Sequence, residues 1–162
     1  MCEPAPLDLR RDRVRPEWLD HNGHMNVAYY VVAFDHACDD FLDYIGLTEA
    51  FRARSGGTTF AAEMHITFQR EVVDGDPLRF TCQLLGFDEK RIHFILHMYR
   101  ADEGYLSATS EWMSLYVDLA SRRVAAMPGE IISRLSAIHA THKELPQPPE
   151  AGRAMSLAGK RK

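Results

Sequence analysis

The sequence predicts an α+β domain in which one antiparallel sheet of about five strands wraps round a single long central helix, with an extra helix at the C-terminal end. Three observations carry this. A wide apolar stripe of helical period runs through residues 27–45. Four segments with strand-like period follow between residues 58 and 118. The later ones are separated by Asp88-Glu89-Lys90 and Asp102-Glu103-Gly104, which are of hairpin length.

The elements follow in order. Residues 1–6 read as a loose end. Residues 7–14 alternate weakly and read as a first strand, which Pro16 ends because proline cannot donate to a ladder. Residues 17–26 show neither period and hold the Asp, Asn and Gly of tight turns. Asn26 is placed to cap a helix. From there Tyr30, Phe34, Ala37, Cys38, Phe41, Leu42 and Ile45 recur at three and four, and Gly46 is a suitable stop. The opposite face carries Asp35, Asp39, Asp40 and Asp43. Residues 47–57 read as a short helical turn and a loop. In residues 58–70, Phe60, Ala62, Met64, Ile66 and Phe68 alternate with Thr59, Ala61, Glu63, His65 and Thr67, which assigns the two sets to opposite faces. Strands over 77–87, 92–100 and 106–118 complete the sheet. A last helix follows Pro128, with Ile131, Ile132, Leu135 and Ile138 on one face.

A chain of 162 residues fits one domain, here 1–145, with 146–162 as a mobile tail rich in Pro, Gly, Lys and Arg. The net charge of −4 argues against nucleic acid as a main partner, since backbone binding needs a concentrated basic face. No apolar run approaches the roughly 20 residues that span a bilayer, and the start lacks the basic and apolar pattern of a secretory signal. Cys2, Cys38 and Cys82 are too few and too scattered for a disulfide framework or a zinc site. A reduced, cytoplasmic protein without a membrane partner is expected. A five-stranded open sheet leaves two edges, and an exposed edge invites pairing, so a homodimer or a dimer of dimers is expected too.

The chemistry gathers in Asp20-His21-Asn22-Gly23-His24-Met25-Asn26, at the N-terminal mouth of the apolar helix. The first turn of a helix has free N–H groups, and its dipole favours negative charge. A substrate carbonyl placed there would be polarised, with the N–H of Val27 as the candidate donor. Asp20 could attack that carbonyl or deprotonate a water that does. Gly23 lets the backbone approach a ligand. The same residues also describe a plain turn and helix cap. His21 and His24 have the spacing of metal ligands, but no third ligand stands nearby, so no metal is expected.

Residues 15–30, Arg15-Pro16-Glu17-Trp18-Leu19-Asp20-His21-Asn22-Gly23-His24-Met25-Asn26-Val27-Ala28-Tyr29-Tyr30, resemble the active-site signature of hotdog-fold acyl-CoA thioesterases of the 4-hydroxybenzoyl-CoA thioesterase type. In that signature an Asp, a Gly-His pair and an Asn precede an aromatic early in the helix and an acid near its middle. Here those positions are Asp20, Gly23, His24, Asn26, Tyr30 and Asp35. Residues 66–78, with Gly75-Asp76-Pro77-Leu78, resemble the family's landmark of a strand followed by Gly-Asp. The likeness spans residues 7–120. A closer one is to the betainyl-CoA thioesterases of carnitine breakdown, carried by residues 15–20, by Ala108-Thr109-Ser110-Glu111-Trp112-Met113, and by 122–128.

The resemblance implies a hotdog fold and hydrolysis of an acyl-CoA to acid and CoA. It makes CoA part of the substrate and requires no separate cofactor. It casts Asp20 as nucleophile or general base, His24 and Asn26 as groups that shape the turn and orient the acyl group, and Val27 as the carbonyl donor. Substrate-binding candidates are Trp18, Gly23, Tyr30, Glu63, His65, Glu111 and Trp112. Aromatic faces among these could hold a cationic acyl group. They could equally be core, as expected of Tyr30, and Glu63, His65 and Glu111 could simply lie on a solvated strand face. His93 and His97 read as surface or interface residues. Many relatives place a second Asp where Trp18 stands, so any mechanism with paired carboxylates is in doubt here. A hotdog enoyl-CoA hydratase is a rival, but Gly23 replaces the proline of its motif. A non-catalytic acyl-CoA-binding protein is another, against which stands the intact Asp20.

Overall fold

The structure, a computed structural model, describes residues 3–157, so Met1, Cys2 and residues 158–162 lie outside it. The elements run β1 (Leu7–Arg13), a 3₁₀ turn (Pro16–Trp18), α1 (Val27–Tyr44), α2 (Glu49–Ser55), β2 (Gly57–Phe68), β3 (Pro77–Phe87), β4 (Arg91–Arg100), β5 (Leu106–Asp118), β6 (Arg123–Val124) and α3 (Gly129–His142). The main strands form one antiparallel sheet in the order β1-β3-β4-β5-β2, and the short β6 pairs with β5. The sheet curls round α1, the arrangement of a hotdog fold. Sequence reading missed only the 3₁₀ turn and the two-residue β6, both too short for a period to show.

The apolar stripe of α1 explains the curl. Tyr30, Ala33, Phe34, Ala37, Cys38 and Phe41 are all buried. Phe34 meets Phe80 of β3 edge-on at 5.9 Å, and Phe41 meets Phe94 of β4 at 4.7 Å. Trp112 of β5 stacks on Phe94 at 6.0 Å. Aromatic residues from three neighbouring strands thus converge on one helix, and their burial supplies much of the core's hydrophobic free energy.

A bulge resets the faces of the sheet in β2. In β2 the register slips between Ala61 and Glu63. Phe60 pairs with Leu115, whereas Met64, Ile66 and Phe68 pair with Trp112, Ser110 and Ala108. Phe60 therefore lies on the outer face with Glu63 and His65, and not with the apolar set that sequence alternation assigned it to. Beyond the end of the β1 pairing, the Leu84 N–H of β3 donates to His142 Nδ1 at 2.8 Å. That bond ties α3 to the sheet.

The C-terminal segment meets the outer face at Pro146 and Gly152. The Gln83 side chain donates to the Pro146 carbonyl at 3.3 Å, and the Gly152 N–H donates to Glu111 Oε2 at 2.8 Å. Ile95, between Gln83 and Glu111 in register, is fully buried. These are contacts with distant strands, which composition does not encode.

Phe34→Ala should cost about 3–5 kcal/mol of folding free energy in chemical denaturation, because its ring is fully enclosed between α1 and β3. A loss under about 1 kcal/mol would show that the helix does not anchor the sheet.

Candidate active site

Residues 18–26 form a small hairpin that leads into α1. The Asn26 N–H donates to the Trp18 carbonyl at 2.8 Å, Leu19 bridges Met25, and the Asp20 N–H donates to the His24 carbonyl at 2.8 Å. Gly23 turns the chain with φ +76°, a left-handed conformation that side chains resist. The Gly23 N–H closes the turn on the Asp20 carbonyl at 3.0 Å.

The Asp20 carboxylate folds back into this turn. Its Oδ1 accepts the Asn22 N–H at 2.8 Å and the His24 N–H at 3.4 Å. The Asn22 N–H chiefly holds the carboxyl below the usual carboxylate range. The slight burial of the acid opposes this, while the His24 N–H and the neighbouring His21 and His24 side chains add to it. Asp20 is thus kept as an anion, with Oδ2 outside these two bonds.

The helix begins immediately after. Asn26 Oδ1 accepts the Ala28 N–H at 2.9 Å, and the Asn26 carbonyl takes the Tyr29 N–H at 2.9 Å. Among the described residues no acceptor takes the Val27 N–H, and Val27 is 62% exposed. The first residue of α1 therefore keeps an uncommitted N–H at the helix's positive end, one residue after the hairpin that holds Asp20.

A loop between β2 and β3 supports the hairpin from below. The Met25 N–H donates to the Val72 carbonyl at 2.9 Å, and His24 bridges Val73. The loop closes on itself through Asp76, whose Oδ2 accepts the Val73 N–H at 2.8 Å. Sequence reading took Gly75-Asp76 as a landmark but gave it no task, because its partners lie at residues 14, 73 and 100.

The aromatic candidates are buried within the chain. Trp18 stacks with Tyr29 at 5.7 Å, and the Arg15 guanidinium lies 4.6 Å from its ring centroid, so a cation already sits on Trp18. Tyr30 packs against Phe68 at 5.1 Å, and burial raises its phenol above the usual range. Trp112 is enclosed by the core.

The strand candidates form a second group, apart from Asp20. Glu63, His65, Glu111 and Trp112 line a hollow of about 480 Å³ under the C-terminal segment, together with His93 and Arg153. Glu111 is already engaged: His93 Nε2 lies 2.7 Å from its Oε1, and the Gly152 N–H also reaches it. The fold therefore brings Trp18, Asp20, Gly23, His24, Asn26, Val27 and Tyr30 together, and gathers Glu63, His65, Glu111 and Trp112 elsewhere. Among the described residues no three His, Cys, Asp or Glu side chains cluster as a metal ion would require, and no helix is long and apolar enough to cross a membrane.

Residues 14–135 match the family model of the thioesterase-like superfamily. The chain belongs to that superfamily. It is a thioester hydrolase by membership, and the matched span holds both the hairpin and its supporting loop. It is 39% identical over 144 residues to the betainyl-CoA thioesterase of Pseudomonas aeruginosa, covering 89% of this chain and 91% of that one. It is 36% identical over 149 residues to an L-carnitine dehydrogenase/betainyl-CoA thioesterase of Rhizobium meliloti, but spans only 30% of that longer protein and 92% of itself. A Staphylococcus aureus protein solved in complex with CoA superposes with a TM-score of 0.87 at 25% identity, covering 96% of this chain and all of the other.

Asn26→Ala should lower stability by about 1 kcal/mol through loss of the cap, and Asn26→Ser should restore most of it. Equal melting of the two variants would deny the side chain its capping role.

Proposed function

We propose that this thioesterase hydrolyses an acyl-CoA, with betainyl-CoA as its acyl-CoA substrate, to the free acid and CoA. The observation that carries the chemistry is an ionised Asp20 carboxylate fixed in the turn that leads into α1, whose first residue, Val27, has an N–H that no described acceptor takes. The thioester carbonyl oxygen accepts that N–H, and the helix dipole favours the negative charge that grows on it. Asp20 takes a proton from a water as the water oxygen bonds to the carbonyl carbon. The tetrahedral intermediate then collapses, the C–S bond breaks, and the sulfur leaves as CoA thiolate, which takes up a proton. In the nucleophilic variant Asp20 itself adds first, the C–S bond breaks to release CoA thiolate, which takes up a proton, and water then cleaves the resulting anhydride to the free acid and the Asp20 carboxylate. The nature of the acyl group rests on likeness to the Pseudomonas aeruginosa enzyme, whose name states its substrate.

The same proposal includes a homodimer. β2 is an edge strand, and Phe60, Met64 and Phe68 on it are 39%, 36% and 51% exposed. An open edge with exposed apolar side chains is relieved by pairing with a second copy.

Asp20→Asn should lower kcat for thiol release by about 10²–10⁴-fold, and betainyl-CoA should outperform neutral short acyl-CoAs with the parent enzyme. Turnover within about threefold of the parent would remove Asp20 from the chemistry. The pH profile gives a second check. A depressed carboxyl remains ionised as pH falls to its ordinary value of 3.8 and is protonated only below it. The acid limb of kcat/KM assigned to Asp20 should therefore lie below 3.8. A limb near about 6.5 would instead give the base role to a histidine.

A further inference from the structure

We infer that Asp76, braced by Arg100, is a positioning residue that sets the catalytic hairpin; the inference rests on the proposal that Asp20 does the chemistry. Asp76 is one of the few buried charged side chains, 5% exposed. Its groups tie three segments together: the Val73 turn, the end of β1 and β4. Oδ2 accepts the Val73 N–H at 2.8 Å, and Oδ1 lies 3.1 Å from Arg100 Nη2 of β4. Its carbonyl accepts the Val14 N–H at 3.0 Å, at the end of β1. Its N–H donates back to the Val73 carbonyl at 3.1 Å. Gly75, with φ +78°, makes this tight turn possible and donates to the Val14 carbonyl at 3.1 Å.

The turn also contacts the hairpin that holds Asp20. Val73 bridges His24, and the Val72 carbonyl accepts the Met25 N–H. Because His24 supplies both an N–H to the Asp20 carboxylate and a carbonyl to the Asp20 N–H, the position of Val73 bears on Asp20 through one residue. Arg100 is held in turn by Asp102 at 2.9 Å and Glu103 at 2.9 Å, across the β4–β5 turn. The path runs from the β4–β5 turn through Arg100 and Asp76 to Val73, His24 and Asp20. No motif contains Arg100, and Asp76 touches no reacting atom.

The test uses the full chain with two variants. Asp76→Ala removes both interactions; Asp76→Asn keeps an acceptor for the Val73 N–H and weakens the Arg100 pair. The Ala variant should lower kcat, per folded molecule, by about 10–100-fold, with KM changed less than about threefold. The Asn variant should recover part of the loss. Placed in an Asp20→Asn background, Asp76→Ala should alter the residual rate by less than about threefold, since it acts through Asp20. Equal losses in both backgrounds, or a parent-like kcat in Asp76→Ala, would overturn the inference. Amide hydrogen exchange separates this from failure of the Asp20 proposal. The Asp20 and Met25 amides should exchange at least about tenfold faster in Asp76→Ala than in the parent. Unchanged exchange would overturn the positioning role whatever the kinetics show. Faster exchange with an active Asp20→Asn enzyme would retain Asp76 as the hairpin's anchor and reject Asp20 as the base.

Discussion

The apolar stripe of α1 against the inner face of the sheet is the contact on which the other features depend. Phe34, Ala33, Ala37 and Phe41 have no exposed surface, and aromatic residues from β3, β4 and β5 reach inward to meet the stripe. A helix held in this way cannot rotate or slide without opening cavities in a close-packed core. Its N-terminus is consequently fixed in space, with its first N–H groups directed outward. Asn26 takes one of them and Val27 keeps its own. Burial of one face thus creates a polar, oriented donor at the end of the same element.

A second constraint acts on the chain that enters the helix. Loops of this composition are ordinarily adaptable, yet residues 18–26 bond on one side to themselves and on the other to Val72 and Val73. The carboxylate of Asp20 is held by its own turn before any ligand arrives. Little reorganisation is then needed when charge develops on a bound carbonyl, which is the advantage of a preorganised site. The N–H bonds that hold the acid in place also keep it ionised, so geometry and charge state share a cause.

The long elements were legible because each carries a period that local sequence cannot hide: 3.6 for residues 27–45 and two for the strands. The hairpin at Asp20 was legible as a turn with an acid in it, and Asn26 as a cap. What sequence could not show depends on distant partners or on register. The Ala61–Glu63 bulge moved Phe60 to the outer face, since one extra residue inverts the alternation before it. Trp18, equally readable as ligand cage or core, is packed by Tyr29 and Arg15. Glu63, His65 and Glu111 share the outer face as alternation implied, but the segment that lies over them comes from some forty residues or more away, and Glu111 is bound to it. Asp76 stood in a recognisable landmark, while its partner Arg100 had no local signal at all.

The proposed reaction makes the N-terminus of α1 the place of thioester activation in this member of the thioesterase-like superfamily. The most direct test is a crystal structure of the protein with an acyl-CoA analogue whose thioester sulfur is replaced by methylene, which leaves the carbonyl in place and blocks hydrolysis. The account predicts the carbonyl oxygen within hydrogen-bonding distance of the Val27 N–H, at about 2.7–3.1 Å, with the Asp20 carboxylate in reach of the carbonyl carbon directly or through one water. A carbonyl bound instead in the hollow beneath residues 152–155, away from the mouth of α1, would contradict it.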